Sequence, residues 1–164
     1  MSAATSETRP LSLYTPSQRA RRDATVWTLV QGILAPVQFL VFAVSLVLVL
    51  RYLATGDGYT AATVSILLKT ALLYTIMITG AIWEKVVFGQ YLFAPAFFWE
   101  DVVSFAVIAL HTLYLYGLLT NSIPPQQLML ITLAAYATYF LNATQFLLKL
   151  RRARLDSTPK GQPA

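Results

Sequence analysis

The chain has no cysteine and a single histidine, His111. Disulfides, thiolate metal centres and cysteine nucleophiles are therefore out of reach, and one chain cannot assemble a multi-histidine metal site. Charge is scarce too. Asp, Glu, Lys and Arg make up 12% of the residues, about half the usual globular share. In their place stand long apolar runs, with 57% hydrophobic residues in a chain of 164, a composition that signals a membrane protein. The net charge of +5 is compatible with nucleic acid, but its distribution argues otherwise. Arg9, Arg19, Arg21 and Arg22 precede the first apolar run, and Lys149, Arg151, Arg152, Arg154 and Lys160 stand at or after the last. No basic-aromatic module accompanies them, so no nucleic-acid partner is expected.

Four apolar segments stand out, roughly residues 26–53, 61–83, 97–119 and 128–148. At about 1.5 Å per residue each can cross a hydrocarbon core of about 30 Å. The first is too long for a signal-peptide apolar region, and no small-residue cleavage pattern follows it. The expected fold is all-α: a polytopic membrane protein of four transmembrane helices in a bundle. An even number of spans puts both termini on one side, and the basic flanks assign that side to the cytoplasm. Three regions follow: residues 1–24, a basic tail with a short interfacial helix; residues 25–150, the four-helix domain; and residues 151–164, a basic disordered tail. Thr15-Pro16-Ser17-Gln18 offers a capping threonine, proline at the first helical position and glutamine three after the cap. Pro36 should kink the first span and free the Gly32 carbonyl. Gly56-Asp57-Gly58 marks the first turn, Gly89 ends the second span, and Pro124-Pro125 opens the fourth.

Polar residues inside membrane helices are costly, so their positions are informative. Gln31, Gln38 and Ser45 recur every seven residues on the first span, one helical face. Glu100, Ser104 and His111 lie within about 40° of each other on the third, at 100° per residue. Tyr139, Asn142, Gln145 and Lys149 form a stripe on the fourth, and Lys69 is the lone interior charge of the second. Alternating helix direction puts Gln38, Lys69 and His111 near mid-membrane, and Gln31, Glu100, Asn142 and Gln145 in a layer nearer the cytoplasm, flanked by Glu84 and Asp101. The amides can serve as helix-helix glue. Lys69 can snorkel to an interface or bind an anionic group. His111 can be a hydrogen-bonded interior residue, a ligand to a pigment metal or a proton carrier. Glu100 and Asp101 suit a helix N-terminus, but Glu84 stands at a C-terminal end, where an anion is disfavoured.

WEKVV (residues 83–87) and WEDVV (residues 99–103) bracket a connector rich in aromatics: Phe88, Tyr91, Phe93, Phe97, Phe98 and Trp99. An interfacial belt accounts for them, and so does a wall for a flat hydrophobic ligand. Five matching residues do not make an inverted repeat, so a transporter reading draws only on Lys69 and the polar stripes. The second and third spans are expected as a tight hairpin, with Glu84 facing Glu100. Carboxyls crowded in an apolar setting can divide into one that keeps its proton and one that stays ionised, a general acid and a general base. A di-iron carboxylate site normally needs Glu-x-x-His pairs, and none is present.

GAIWEKVVFGQYLFAPAFFWEDVVSFAVIALHTLYL (residues 80–115) resembles the 2-vinyl bacteriochlorophyllide hydratase family. LYTPSQRARRDATVWTLVQGILAPVQFLVF (residues 13–42) and NATQFLLKLRRARL (residues 142–155) resemble the ends of the same family. The resemblance implies a bacteriochlorophyll-pathway enzyme of a bacterial inner, cytoplasmic or intracytoplasmic photosynthetic, membrane. It would add water to the 3-vinyl group of a chlorophyllide, giving a 3-(1-hydroxyethyl) group, with no cofactor beyond the magnesium of the substrate itself. The partners implied are this tetrapyrrole and the lipid bilayer, with neighbouring pathway enzymes at the basic tails left open. The resemblance brings no catalytic residues with it. The residues themselves suggest Glu100 as proton donor and Glu84 or Asp101 as water-orienting base. His111, Lys69, Gln38, Asn142, Gln145, Tyr91, Phe98 and Trp99 are the candidate substrate contacts, His111 toward the magnesium and Lys69 toward the propionate. A non-catalytic pigment-binding or assembly protein would use the same aromatics and histidine.

Overall fold

The computed structural model describes residues 13–157, and the expected tails at 1–12 and 158–164 lie outside the described residues. Five helices and no strand are found among the described residues: α1 (Pro16–Ala24), α2 (Val26–Thr55), α3 (Tyr59–Phe88), α4 (Phe98–Thr120) and α5 (Pro125–Ser157). The short-range signals act as expected. The Thr15 hydroxyl accepts from the Gln18 amide and the Gln18 side chain accepts from the Thr15 amide, with Pro16 at the first position of α1. Thr25, in extended conformation, caps α2 through the Trp27 amide, so the basic turn and the first long helix are separate elements. The α2 helix runs on through Pro36.

Three helices, α2, α3 and α4, are long and apolar enough to cross a membrane. The α5 helix is the longest at 33 residues, but polar side chains interrupt it and basic ones fill its end. It also continues to Ser157, so residues 151–157, expected as disordered tail, are helical. Two causes are visible. Cations in a last turn suit the helix macrodipole, and Ala153 packs against a small apolar cluster around Tyr14, Val87 and Phe97.

The close antiparallel pairs are α2 with α3 and α4 with α5, whereas α3 and α4 touch far less. The tight α3/α4 hairpin expected from the sequence is thus corrected. Short turns, residues 56–58 and 121–124, force the helices they join side by side. The longer connector of residues 89–97 lets α3 and α4 separate. The main core lies between the helices around Phe42, Ile66, Val107, Tyr114, Met129 and Tyr136. Hydrogen bonds tie it together: Ser45 to Tyr136 at 2.6 Å and to Ser65 at 2.7 Å, and Gln31 to Thr79 at 2.7 Å. Tyr74 reaches Thr112 at 2.8 Å across the α3/α4 seam. At the opposite end of the chain path, Arg21 of α1 donates twice to the Val87 carbonyl, at 2.9 and 2.7 Å, and Trp83 donates to Thr28 at 2.9 Å. These bonds clamp the start of the chain onto the end of α3.

Candidate active site at the α3–α4 connector

Gly89 ends α3 in the left-handed region, at φ 89°, which a side-chain-free residue adopts without strain. The chain then folds back over the helix ends instead of looping outward. Phe93 also has a positive φ of 58°, and the amides of Phe93 and Ala94 consequently point toward acidic groups, as in an anion-binding backbone nest. Phe93 donates to Asp101 Oδ2 at 2.7 Å and Ala94 donates to Glu84 Oε2 at 3.2 Å. Glu84, Asp101 and Glu100 are 5%, 4% and 5% exposed. The three acidic residues singled out in the sequence therefore sit together at one end of the bundle, under the connector.

Their pairing differs from expectation. Glu84 faces Asp101, close enough for the two carboxyls to interact. Glu100 instead turns to α5, where Lys149 Nζ lies 2.5 Å from its Oε2 and also bonds the Ala96 carbonyl. The helical period identified the buried face of α4 but not which neighbour each carboxyl would meet. Lys149 was legible as part of the α5 stripe. The two backbone donors carried no sequence signal.

One layer deeper, Asn142 donates to Ser104 at 2.6 Å, joining α5 to α4. Gln145 is half-buried, and its Oε1 has no partner among the described residues. Near the middle of the bundle, Gln38, Lys69 and His111 are all buried, as their depth-matching suggested. Lys69 does not snorkel: it is 0% exposed, and its Nζ stands 3.6 Å from the centroid of the Tyr139 ring. His111 Nδ1 is 2.8 Å from the Val107 carbonyl, and its Nε2 has no partner among the described residues. No group of three or more His, Cys, Asp or Glu side chains is arranged to hold a metal among the described residues.

The aromatic connector divides in two. Phe88 and Phe97 turn inward with Tyr14, Trp83 and Phe146, with Tyr14 stacked on Phe88 at 5.8 Å and Phe97 on Phe146 at 5.7 Å. Burial pushes the Tyr14 hydroxyl up from its usual range, opposed by the Arg22 guanidinium above its ring. Tyr91, Phe93, Phe98 and Trp99 turn outward, Trp99 being 68% exposed. An open groove of about 350 Å³ lies beside the acidic cluster, bordered by Leu13, Glu100, Gln145, Leu148, Lys149, Arg152 and Ala153. A second cavity, about 260 Å³, lies at the opposite end around the 121–124 turn. Neither borders Lys69 or His111.

No solved structure matches this chain. Two curated relatives do, both named 2-vinyl bacteriochlorophyllide hydratase. The protein of Cereibacter sphaeroides is 77% identical over 144 residues, covering 88% of this chain and 89% of the relative. The protein of Rhodobacter capsulatus is 73% identical over 146 residues, covering 89% and 85%. The family model described as 2-vinyl bacteriochlorophyllide hydratase (BCHF) matches residues 14–152, which take in the acidic cluster, the connector and all of the groove but Leu13 and Ala153, and on this match the chain belongs to that family.

Proposed function

We propose that this chain is a hydratase of bacteriochlorophyll biosynthesis, a carbon–oxygen hydro-lyase that adds water to the vinyl group of a chlorophyllide-type tetrapyrrole. The observation that carries the reading is its likeness to two named hydratases over nearly the whole chain. Hydration puts a proton on the terminal vinyl carbon. Positive charge develops on the inner carbon and spreads into the ring, water captures that carbon, and the captured water loses a proton. The proton consumed equals the proton released, so acid-base groups suffice on the protein side.

The carboxyl pairing supports a definite division of labour. The Glu84–Asp101 pair, two enclosed carboxyls that accept from the Ala94 and Phe93 amides, acts as the acid, since crowding and burial favour a proton on one of them. Glu100, ion-paired with Lys149 and bordering the groove, acts as the carboxylate that orients water and offsets the developing cation. This exchanges the roles suggested by sequence alone. Lys69 and His111, enclosed in the bundle, act in packing and not on the reacting group. The α5 helix packs along α4 and buries Leu128, Met129, Thr132, Tyr136 and Tyr139. That supports a four-span bundle whose acidic end, basic α1 and basic α5 terminus share the cytoplasmic side of a bacterial inner membrane.

The test is incubation of the purified protein with chlorophyllide and identification of the product by mass. A gain of one water at the vinyl group is expected. Glu84→Gln and Asp101→Asn, each still folded, should lose about 10²–10⁴-fold in rate. Pigment binding with unchanged mass would leave a carrier in place of an enzyme.

A further inference from the structure

The groove beside the acidic cluster contains a cation the mechanism does not use. Of its polar border, Lys149 is engaged by Glu100 and the Ala96 carbonyl. Arg152, one turn further along α5, has no hydrogen bond or ion pair among the described residues. Gln145, one turn before Lys149, also borders the groove, and its amide oxygen is buried with no partner among the described residues. The remaining border is apolar: Leu13, Leu148 and Ala153. The surface thus combines a free guanidinium, a free amide and an aliphatic floor within one helical turn on each side of the Glu100–Lys149 pair.

We propose that this groove receives the carboxylate arm of the tetrapyrrole, with Arg152 pairing to the ionised carboxylate and Gln145 donating to it, while the edge of the ring rests on Leu13 and Leu148. The proposal rests on the hydratase reading above and names the substrate-recognition subsite within it. A planar guanidinium offers two parallel donors to a carboxylate, and a cation at the edge of an apolar groove selects a greasy acid over its neutral ester. The groove, at about 350 Å³, lies at the small end of the 300–1,000 Å³ range of ligand sites. It fits an arm and one ring edge, leaving the rest of the flat molecule against the neighbouring surface. Arg152 is a binding residue in this scheme, not one of the carboxyls assigned to proton transfer, and it sets which tetrapyrroles enter.

The experiment compares binding of chlorophyllide a and its methyl ester to the full chain in vesicles, read by quenching of pigment fluorescence, with and without anionic lipid. Wild-type protein should favour the acid by roughly ten-fold or more, the factor expected of about 1.4 kcal/mol. Arg152→Gln should erase that preference by weakening the acid alone, and Arg152→Lys should retain part of it. An acid-to-ester ratio unchanged in Arg152→Gln overturns the proposal. So does an equal fall for acid and ester, or an effect that vanishes when anionic lipid is omitted, which would make Arg152 a lipid contact. Because binding is read without turnover, a wild-type protein that forms no hydrated product would refute the hydratase reading while the ratio still reports on the groove.

Discussion

Removing Lys149 alone should cost more than removing both members of the Glu100–Lys149 pair. The two charged groups stand 2.5 Å apart, with side chains 6% and 26% exposed. At an effective dielectric constant near 20, their gross attraction is about 6–7 kcal/mol, most of it offset by desolvation. Lys149→Met leaves the Glu100 carboxylate enclosed without its cation, and breaking a buried pair costs about 3–5 kcal/mol. The low end, about 3 kcal/mol, applies here because a quarter of the lysine side chain reaches the surface. Glu100→Gln keeps an acceptor for Lys149, whose second bond to the Ala96 carbonyl survives, so about 1–2 kcal/mol is expected. In the double variant an amide faces a thioether, no charge is stranded, and the loss should be about 2 kcal/mol. The coupling is then about 2–3 kcal/mol, well above the 0.3–0.5 kcal/mol scatter of independent sites. Reversible unfolding in mixed micelles, followed by helical circular dichroism, measures all four corners of this cycle. Losses that add to within about 0.5 kcal/mol would refute the pairing of Glu100 with Lys149.

Three further outcomes are expected. In Gly117→Ala the new Cβ would lie 2.5, 2.8 and 3.0 Å from Ile123 Cδ1, Cγ1 and Cβ; this overpacking should cost about 1–3 kcal/mol, measured by the same unfolding and relieved by Ile123→Ala. Tyr136→Phe deletes a 2.6 Å bond to Ser45 but keeps the ring against Phe42, so about 1 kcal/mol should be lost with the far-ultraviolet spectrum unchanged. Lys69→Met should stabilise by about 1 kcal/mol, since the roughly 2.5–3.5 kcal/mol cost of a central lysine exceeds a desolvated cation-π contact of about 2 kcal/mol; a clear destabilisation would mean that Lys69 has an anionic companion.

What the sequence revealed, and what it hid, follows from the range of each interaction. Caps and turns are local, so Thr15, Pro16, Gly56, Gly89 and Pro125 could be read as boundaries. Buried faces follow from a period of 3.6, so Gln38, Ser45, Lys69, Glu100, Ser104, His111 and Asn142 were legible as interior. Neighbour choice has no such period. Glu84 meets Asp101 and not Glu100 because the 89–97 connector parts the two helices. Glu100 meets Lys149 because α5 lies alongside α4. The amides of Phe93 and Ala94 are main-chain groups, and their aim depends on a left-handed Phe93 that no side-chain pattern announces.

The separation of the two polar regions decides which of them can act on one flat substrate. Lys69 and Glu84 stand on the same helix, about 22 Å apart along its axis, and Glu100 and His111 are about 16 Å apart on theirs. No ring placed with its vinyl group at the carboxyls could also have its metal held by His111 and its acid arm by Lys69, and neither the groove nor the second cavity borders those two residues. Recognition and chemistry must therefore be served from a single end. The acidic end has the open groove, two enclosed carboxyls facing each other, an ion-paired carboxylate and, among the described residues, an unengaged guanidinium. The middle of the bundle has a lysine resting on a tyrosine ring and a histidine bonded to its own helix. That contrast supports the proposed reading, in which the middle packs the helices and the connector end handles the pigment.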